Sequence, residues 1–147
     1  MMIEWNKQNE GASEQLWQLC EQSYYYGSPW SQAQFQNDLE QENSWYLVDD
    51  LIRPTGFVSY YQILDEIDIT HVVVSKEKHG QGYGKKLLEE AISCWKQKQI
   101  KRVLLEVRAS NQAAQKLYEG VGFQCIHKRK NYYHLPQEDG LMMELIL

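Results

Sequence analysis

The chain has 147 residues, 43% of them hydrophobic and 12% aromatic, which excludes disorder and leaves room for one core of ordinary size. Fifteen Lys and Arg against twenty Asp and Glu give a net charge of −5, which argues against a general nucleic-acid binder because those carry a net basic face. The charge is unevenly spread: residues 1–75 hold only Lys7 and Arg53 against twelve carboxylates, whereas residues 76–147 hold thirteen basic side chains against eight, a pattern that points to two differently charged partners.

The opening residues, Met1 to Lys7, have neither the basic flank and apolar stretch of a secretory signal nor the Arg and Ser richness of a transit peptide. After a short apolar start at Ile3–Trp5, residues 12–24 are predicted helical with Leu16, Leu19 and Cys20 on one side. A second helix starts at Ser31, where Gln34 completes a capping box and Trp30 can pack on Phe35 as a hydrophobic staple, with Leu39 one turn on. Residues 45–49, 56–64 and 66–74 are predicted strands of an antiparallel meander, with Ile67, Ile69, His71 and Val73 alternating with Asp68, Thr70 and Val72. Leu87, Leu88, Ala91, Ile92 and Trp95 recur at helical spacing from Gly84 to about Lys98. A strand over 102–108, a helix from Asn111 to about Gly120 and strands over 123–133 and 141–147 complete the order β-α-α-β-β-β-α-β-α-β-β. That order predicts an α/β fold with a mixed, mostly antiparallel sheet of about seven strands and helices on both faces. With no repeat, low-complexity tract or linker, residues 1–147 are expected to form a single domain.

No apolar run approaches the roughly 20 residues of a membrane helix, so no membrane partner is expected. Cys20, Cys94 and Cys125 are odd in number, widely spaced and without a CxxC, which points to a reducing, cytoplasmic setting without a disulfide framework. The four histidines show no metal-binding spacing, and no metal is expected.

The stretch Val72-Val73-Val74 through His79-Gly80-Gln81-Gly82-Tyr83-Gly84-Lys85-Lys86 runs from a buried strand through a glycine loop into a helix, an arrangement suited to binding anions. Lys85 and Lys86 lie in the first helical turn, where cations oppose the dipole unless an anion is bound; alternatively, they merely solvate an exposed turn. A Walker A loop fails, because His79 stands where its first glycine belongs and Lys86 where its hydroxyl belongs. The dinucleotide fingerprint starts at Gly80 and Gly82, but Lys85 replaces its third glycine; Glu106 could pose as its ribose acid. Gly82 and Gly84 match a third pattern, [QR]-x-x-G-x-[GA], with His79 in the Gln/Arg position. That loop resembles the acetyl-coenzyme-A loop of the GCN5-related N-acetyltransferase (GNAT) superfamily.

The run Leu105-Glu106-Val107-Arg108-Ala109-Ser110-Asn111, with Ala114, Leu117, Tyr118, Gly122 and Phe123 after it, extends the resemblance through the pattern N-x-x-A-x-x-L-Y-x-x-x-G-F. With Arg129-Lys130-Asn131-Tyr132-Tyr133 and Ser28-Pro29-Trp30-Ser31, the chain resembles the bacterial RimI group over essentially its whole length. That group acetylates the N-terminal alanine of small-subunit ribosomal protein number eighteen. The sequence departs from the pattern at His79, and at His134 where proline would follow the tyrosine pair. The resemblance implies acetyl-CoA as co-substrate. Val72, Val73 and Val74 would present backbone groups to its acetyl-pantetheine arm, residues 79–84 (His79, Gly80, Gln81, Gly82, Tyr83, Gly84) would hold its pyrophosphate, and Asn111 would touch the coenzyme.

Acetyl transfer to an amine needs a neutral nucleophile, a polarised carbonyl and a proton for the leaving thiolate. Glu106 is the candidate base, a carboxylate in an apolar strand on the same side as Leu104 and Arg108; the alternative is a salt-bridged partner of Arg108. Tyr118 suits the general acid, since a phenol near pKa 10 can donate to a thiolate whose conjugate acid lies near 8.5; the alternative is a core tyrosine. Asn111 is also placed to act as a plain helix cap. Cys125 and His127, two apart on a predicted strand, could form a thiol–imidazole pair, although packing is the favoured reading for Cys125. The expected acceptor is a basic ribosomal-protein N-terminal peptide, walled by the acidic half through residues such as Asp65, Glu66 and Asp68, with the enzyme a monomer or weak dimer. Another amine (a polyamine, an aminoglycoside or a different peptide N-terminus) is the alternative acceptor, and a non-catalytic acyl-CoA-binding module the alternative outside enzymes.

Overall fold

The computed structural model describes residues 2–147. Its elements are β1 (Ile3–Glu4), α1 (Ala12–Ser23), α2 (Gln32–Leu39), β2 (Ser44–Val48), β3 (Gly56–Ile63), β4 (Glu66–Val74), a 3₁₀ turn (Lys76–Lys78), α3 (Tyr83–Gln97), β5 (Arg102–Arg108), α4 (Gln112–Gly120), β6 (Gln124–His134) and β7 (Gln137–Ile146). The order matches the sequence expectation, and the elements form one seven-stranded sheet, β1-β2-β3-β4-β5-β7-β6. β4 and β5 run parallel; the other neighbours are antiparallel. β7 begins four residues earlier than periodicity suggests, because Gln137 and Glu138 already pair with His134 and Tyr133 of β6.

Local chemistry explains the helices. Ser31 Oγ accepts from the Gln34 amide at 3.1 Å while the Gln34 side chain accepts from the Ser31 amide at 2.8 Å, and the Trp30 and Phe35 rings pack 5.1 Å apart. α3 buries Leu87, Leu88, Ala91, Ile92 and Trp95, one stripe of an amphipathic helix. α1 and α2 cover one face of the sheet, over Tyr46, Val48, Phe57 and Val73. The opposite face packs α3 and residues of α4 against Leu47, Val58, Tyr60, Val103, Leu105 and Val107.

A bulge in β4 breaks the expected alternation. Ser59 pairs with His71 but Tyr60 with Ile69, leaving Thr70 as the extra residue. Ile67 and Ile69 therefore face α3, whereas His71 and Val73 face α1 and α2. Thr70 Oγ1 shares a hydrogen bond of 2.7 Å with Ser59 Oγ.

The bulge also sinks His71 among Trp30, Phe35, Phe57 and Tyr24, with Nδ1 3.0 Å from Ser59 Oγ and Nε2 without a partner. Burial drives its pKa down to about 3. A pKa depressed on folding contributes stability above the unfolded value near 6.5, lost as pH falls toward 3, because the unfolded chain takes up the proton first. Within that window His71 alone is expected to cost up to about 1.4 kcal/mol per pH unit of acidification. Urea unfolding of the wild type and His71→Asn from pH 7 to 4 measures this: the variant should show the shallower pH slope.

Candidate active site

β4 and β5 touch only at one end. Glu66, Ile67 and Asp68 pair with Arg102, Val103 and Leu104, after which the strands part. Arg102 pins the closed end through ion pairs to Glu66, at 3.1 Å, and Glu144 of β7. Beyond Asp68, β4 stays with β3 as far as Val74 and β5 stays with β7 as far as Arg108, so a gap opens between them. The Ser75 amide donates to the Thr55 carbonyl at 2.7 Å, which sets the ladder's phase. Val73 therefore exchanges its backbone bonds with Phe57, while Val72 and Val74 turn their N–H and C=O groups toward the gap. Of the three valines, two have backbone groups to offer there.

The glycine loop closes the open end. Gly80 and Gly82 have φ of 75° and 74°, the left-handed region, and no atom lies within 4 Å of where their Cβ atoms would stand. Gly82 is the N-cap of α3 and no side chain caps that end, so its first amides face outward with the positive end of the dipole. His79 Nε2 donates to the Val74 carbonyl at 2.7 Å. The side chain that departs from the family pattern thus ties loop to strand. Lys78 Nζ donates to Thr55 Oγ1 at 2.7 Å and lies over the Tyr83 ring, whose hydroxyl donates to Asp49. Those contacts anchor the loop to the β2–β3 hairpin.

On the α1/α2 face, Glu106 projects from β5 beside the gap. Its Oε1 meets Arg129 Nε at 3.0 Å, and its Oε2 is buried without a partner. Burial pushes the carboxyl above its usual range, Arg129 and His127 pull it down, and Asp68 adds to the rise. Tyr118 is buried on α4 against Phe123, ring centroids 5.8 Å apart. Burial raises its phenol well above 10, and the nearby Tyr133 phenol adds to the rise. Tyr133 is itself pushed up to about 12 by burial, with the Glu106 charge the next contribution. Tyr133 is thus near enough to act on Tyr118 and to feel Glu106, and Tyr24 at the end of α1 feels both phenols. No spacing links Tyr24 or Tyr133 to Tyr118 in the sequence; the Arg129–Tyr133 run was the available signal.

Three sequence expectations change. Arg108 does not pair with Glu106: it meets Glu138 at 3.0 Å, donates to the Leu135 and Pro136 carbonyls and lies over the Tyr133 ring at 4.3 Å. Glu138 in turn takes the Ser110 amide and hydroxyl, so this network holds the β6–β7 turn against the end of β5. Cys125 is exposed, not packed, and it does not share a face with His127. A register shift puts Cys125 opposite Met143 and His127 opposite Met142, and Cys125 Sγ lies 3.8 Å from the His127 carbonyl. Asp65 pairs with Lys101 at 3.9 Å, whereas Glu66 and Asp68 line an open groove of about 700 Å³ with Trp30, Asn37, Asp38 and Tyr61. Asn111 caps α4, its Oδ1 accepting from the Ala114 amide at 3.1 Å. Among the described residues no His, Cys, Asp and Glu cluster could hold a metal, and no helix is long and apolar enough to cross a membrane.

Residues 12–123 match the family model "Acetyltransferase (GNAT) family". The chain is 38% identical over 124 residues to the ribosomal protein bS18-alanine N-acetyltransferase of Haemophilus ducreyi, covering 81% of this chain and 84% of that one. Its identity to the Escherichia coli K12 protein of the same name is 32% over 119 residues, 80% of each chain. The crystal structure of the ribosomal-protein-S18-alanine N-acetyltransferase from Escherichia coli superposes with a TM-score of 0.85 at 26% identity, covering 99% of this chain and 92% of that one. A chain of the NatC complex, solved with a Gag peptide and CoA, matches with a TM-score of 0.79 at 25% identity, covering 100% and 98%. A splayed β4–β5 pair, an uncapped glycine-loop helix and a family match over three-quarters of its length make this chain a member of the GNAT acetyltransferase family.

Proposed function

We propose that this acetyltransferase, acting as one domain in the cytoplasm and without a metal, modifies the N-terminal α-amine of a protein. The proposed acceptor is the N-terminal alanine of small-subunit ribosomal protein eighteen. The observation that carries the chemistry is Glu106, with one buried and unpartnered oxygen, in electrostatic reach of Tyr133, which in turn acts on the buried phenol of Tyr118. The acceptor assignment rests on the relatives that bear that activity in their names, at 32–38% identity.

Acetyl-CoA supplies the thioester, and the gap suits it. Val72 and Val74 offer backbone groups to an extended amide-bearing arm, and the open amides of the Gly80–Gly84 loop suit a pyrophosphate. Asn111 spends its Oδ1 on capping α4, so contact with the coenzyme would fall to its amide nitrogen. As the amine forms its bond to the acetyl carbon, Glu106 takes the proton from nitrogen. Tyr118 gives its own proton to the sulfur as the carbon–sulfur bond breaks, and the two residues regain their starting states by passing one proton through solvent. A free α-amine with pKa about 7.7–8.0 demands only a modest base, which a partly buried carboxylate provides. The groove lined by Glu66 and Asp68 would receive the residues behind that amine, and its negative charge favours a basic segment.

The test is to incubate the protein with acetyl-CoA and peptides beginning Ala, Ser, Met or Gly, each with internal lysines, and to locate the acetyl group by mass spectrometry. Modification of the α-amine, strongest with Ala first in a basic peptide, is expected. Acetylation confined to lysine side chains would sink the N-terminal reading, and acetyl-CoA binding without acetylation of any peptide would favour a binding module.

A further inference from the structure

The arginine that meets Glu106 is held in its place by identifiable neighbours. Arg129 is on β6, two strands away from β5, with β7 between them. The register sets Arg129 opposite Gly140, and Gly140 opposite Arg108, next but one to Glu106 along β5. Gly140 carries no side chain to obstruct the crossing. The Tyr132 ring fills the space instead: a Cβ at Gly140 would fall 3.0 Å from Tyr132 Cδ2 and 3.2 Å from its Cβ. Tyr132 in turn lies 5.2 Å from the Arg129 guanidinium carbon, a cation–π contact. Arg129 and Tyr133, four apart, share a face of β6, and the irregularity between them, with Asn131 at φ 54°, sets Tyr133 opposite Glu138, two positions nearer along β7 than a regular ladder would.

We infer that Arg129 is a positioning residue for Glu106: it holds one carboxylate oxygen so that the other, buried and unpartnered, is free to take the acceptor's proton. The inference rests on Glu106 being the base. A lone carboxylate at this depth could turn either oxygen toward Arg129, toward water or into the gap. The Nε contact at 3.0 Å selects one arrangement and leaves Oε2 as the accepting atom. Arg129 also supplies the positive charge that favours the ionised form of Glu106 against its burial, and the same charge acts on Asp68. The charged and titratable groups facing Glu106 are Asp68 from β4 and His127, Arg129 and Tyr133 from β6; β7 sets neutral Met142 opposite it. Arg129 is the permanent cation among them, so its loss cannot be offset at any working pH.

The experiment is a pH profile of kcat/KM for wild type, Arg129→Gln, Arg129→Lys and Glu106→Gln, at saturating acetyl-CoA. Arg129 leaves 43% of its side chain exposed, so these changes spare the core, and thermal melting checks that the fold is kept. Arg129→Gln should move the acid limb upward by about one pH unit and also lower the alkaline plateau, so that its deficit is about tenfold greater below the limb than on the plateau. Arg129→Lys should restore the limb but leave a lower plateau, since an ammonium lacks the planar N–H edge. An acid limb that stays in place in Arg129→Gln, or activity lowered equally at every pH, overturns the inference. A ¹³C titration of the Glu106 carboxyl in the same variants reads its ionisation without turnover, and an unmoved midpoint is equally decisive. Full activity in Glu106→Gln would instead remove the base assignment underneath, which separates the two failures.

Discussion

Glu106→Gln is expected to lower kcat/KM for a peptide acceptor by about 10²–10⁴-fold, the range over which a positioned general base contributes. The amide keeps the shape and can still meet Arg129 through its oxygen, but it cannot accept a proton from an attacking amine. Acetyl-CoA affinity should be unchanged, because the residues that suit the coenzyme lie on β4 and at the start of α3, not on this side chain. Stability should change little or rise, since the carboxylate pays a desolvation cost that its single ion pair only partly offsets. The wild-type profile supplies a second signature. Burial comes first among the influences on Glu106, so the acid limb should fall above the ordinary carboxylate range, with activity lost as pH falls and Glu106 takes up its proton. The variant should lose that limb along with its rate. Unchanged turnover, measured by continuous thiol release with a peptide acceptor, would move the base to another carboxylate, Asp68 of the neighbouring groove being the next.

The features that sequence anticipates here are those set by residues close together along the chain. Ser31 and Gln34 are three apart, Trp30 and Phe35 five apart, and the α3 stripe repeats every three or four residues, so each is decided within a turn or two of helix. Glu106 and Tyr118 are likewise legible, one as a charge in an apolar strand and the other through its family pattern. What the chain does not reveal is registry. The extra residue at Thr70 flips His71 and Val73 to the opposite face from Ile69, and the shift beside Ile126 separates Cys125 from His127; a one-residue slip is invisible to a period-two pattern until the partner strand is known. The partners of Glu106 and Arg108 were hidden for the same reason. Local spacing favours pairing them with each other, but the β6–β7 hairpin carries Glu138 to Arg108 and Arg129 to Glu106 from more than twenty residues away.

This hairpin also changes how the charge imbalance bears on the site. The acidic half contributes Glu66 and Asp68 to the groove, yet Asp65 is turned away to Lys101 and Asp38 is occupied by the Tyr46 and Tyr61 hydroxyls. The basic half contributes more than the glycine loop, because its Arg129 meets Glu106 and acts on Asp68 of the acidic half, and its Arg108 holds the β6–β7 turn. The two halves therefore meet beside the gap, where Asp68 of the acidic half lies close enough to Glu106 and Arg129 of the basic half to shift their common electrostatics.

Tyr118→Phe is expected to lower kcat by about a hundredfold or more while the affinity for acetyl-CoA is retained. The substitution removes one oxygen and keeps the ring against Phe123, so the α4 packing survives and no cavity forms. The wild-type phenol is held well above its ordinary value by burial, so it carries its proton throughout the range in which Glu106 is ionised. That combination, a deprotonated carboxylate and a protonated phenol in the same pH window, is what a transfer with one proton taken and one given requires. The elevated phenol is a weaker acid than free tyrosine, but a thiolate expelled into the same buried space is also a stronger base there than in water, so the proton still moves toward sulfur. A basic limb set by Tyr118 should fall above pH 10 and vanish in the variant. Pre-steady-state mixing separates the roles: loss of the chemical step with normal coenzyme binding marks a proton donor, whereas a raised KM for acetyl-CoA with unchanged kcat would reduce Tyr118 to a wall of the coenzyme site.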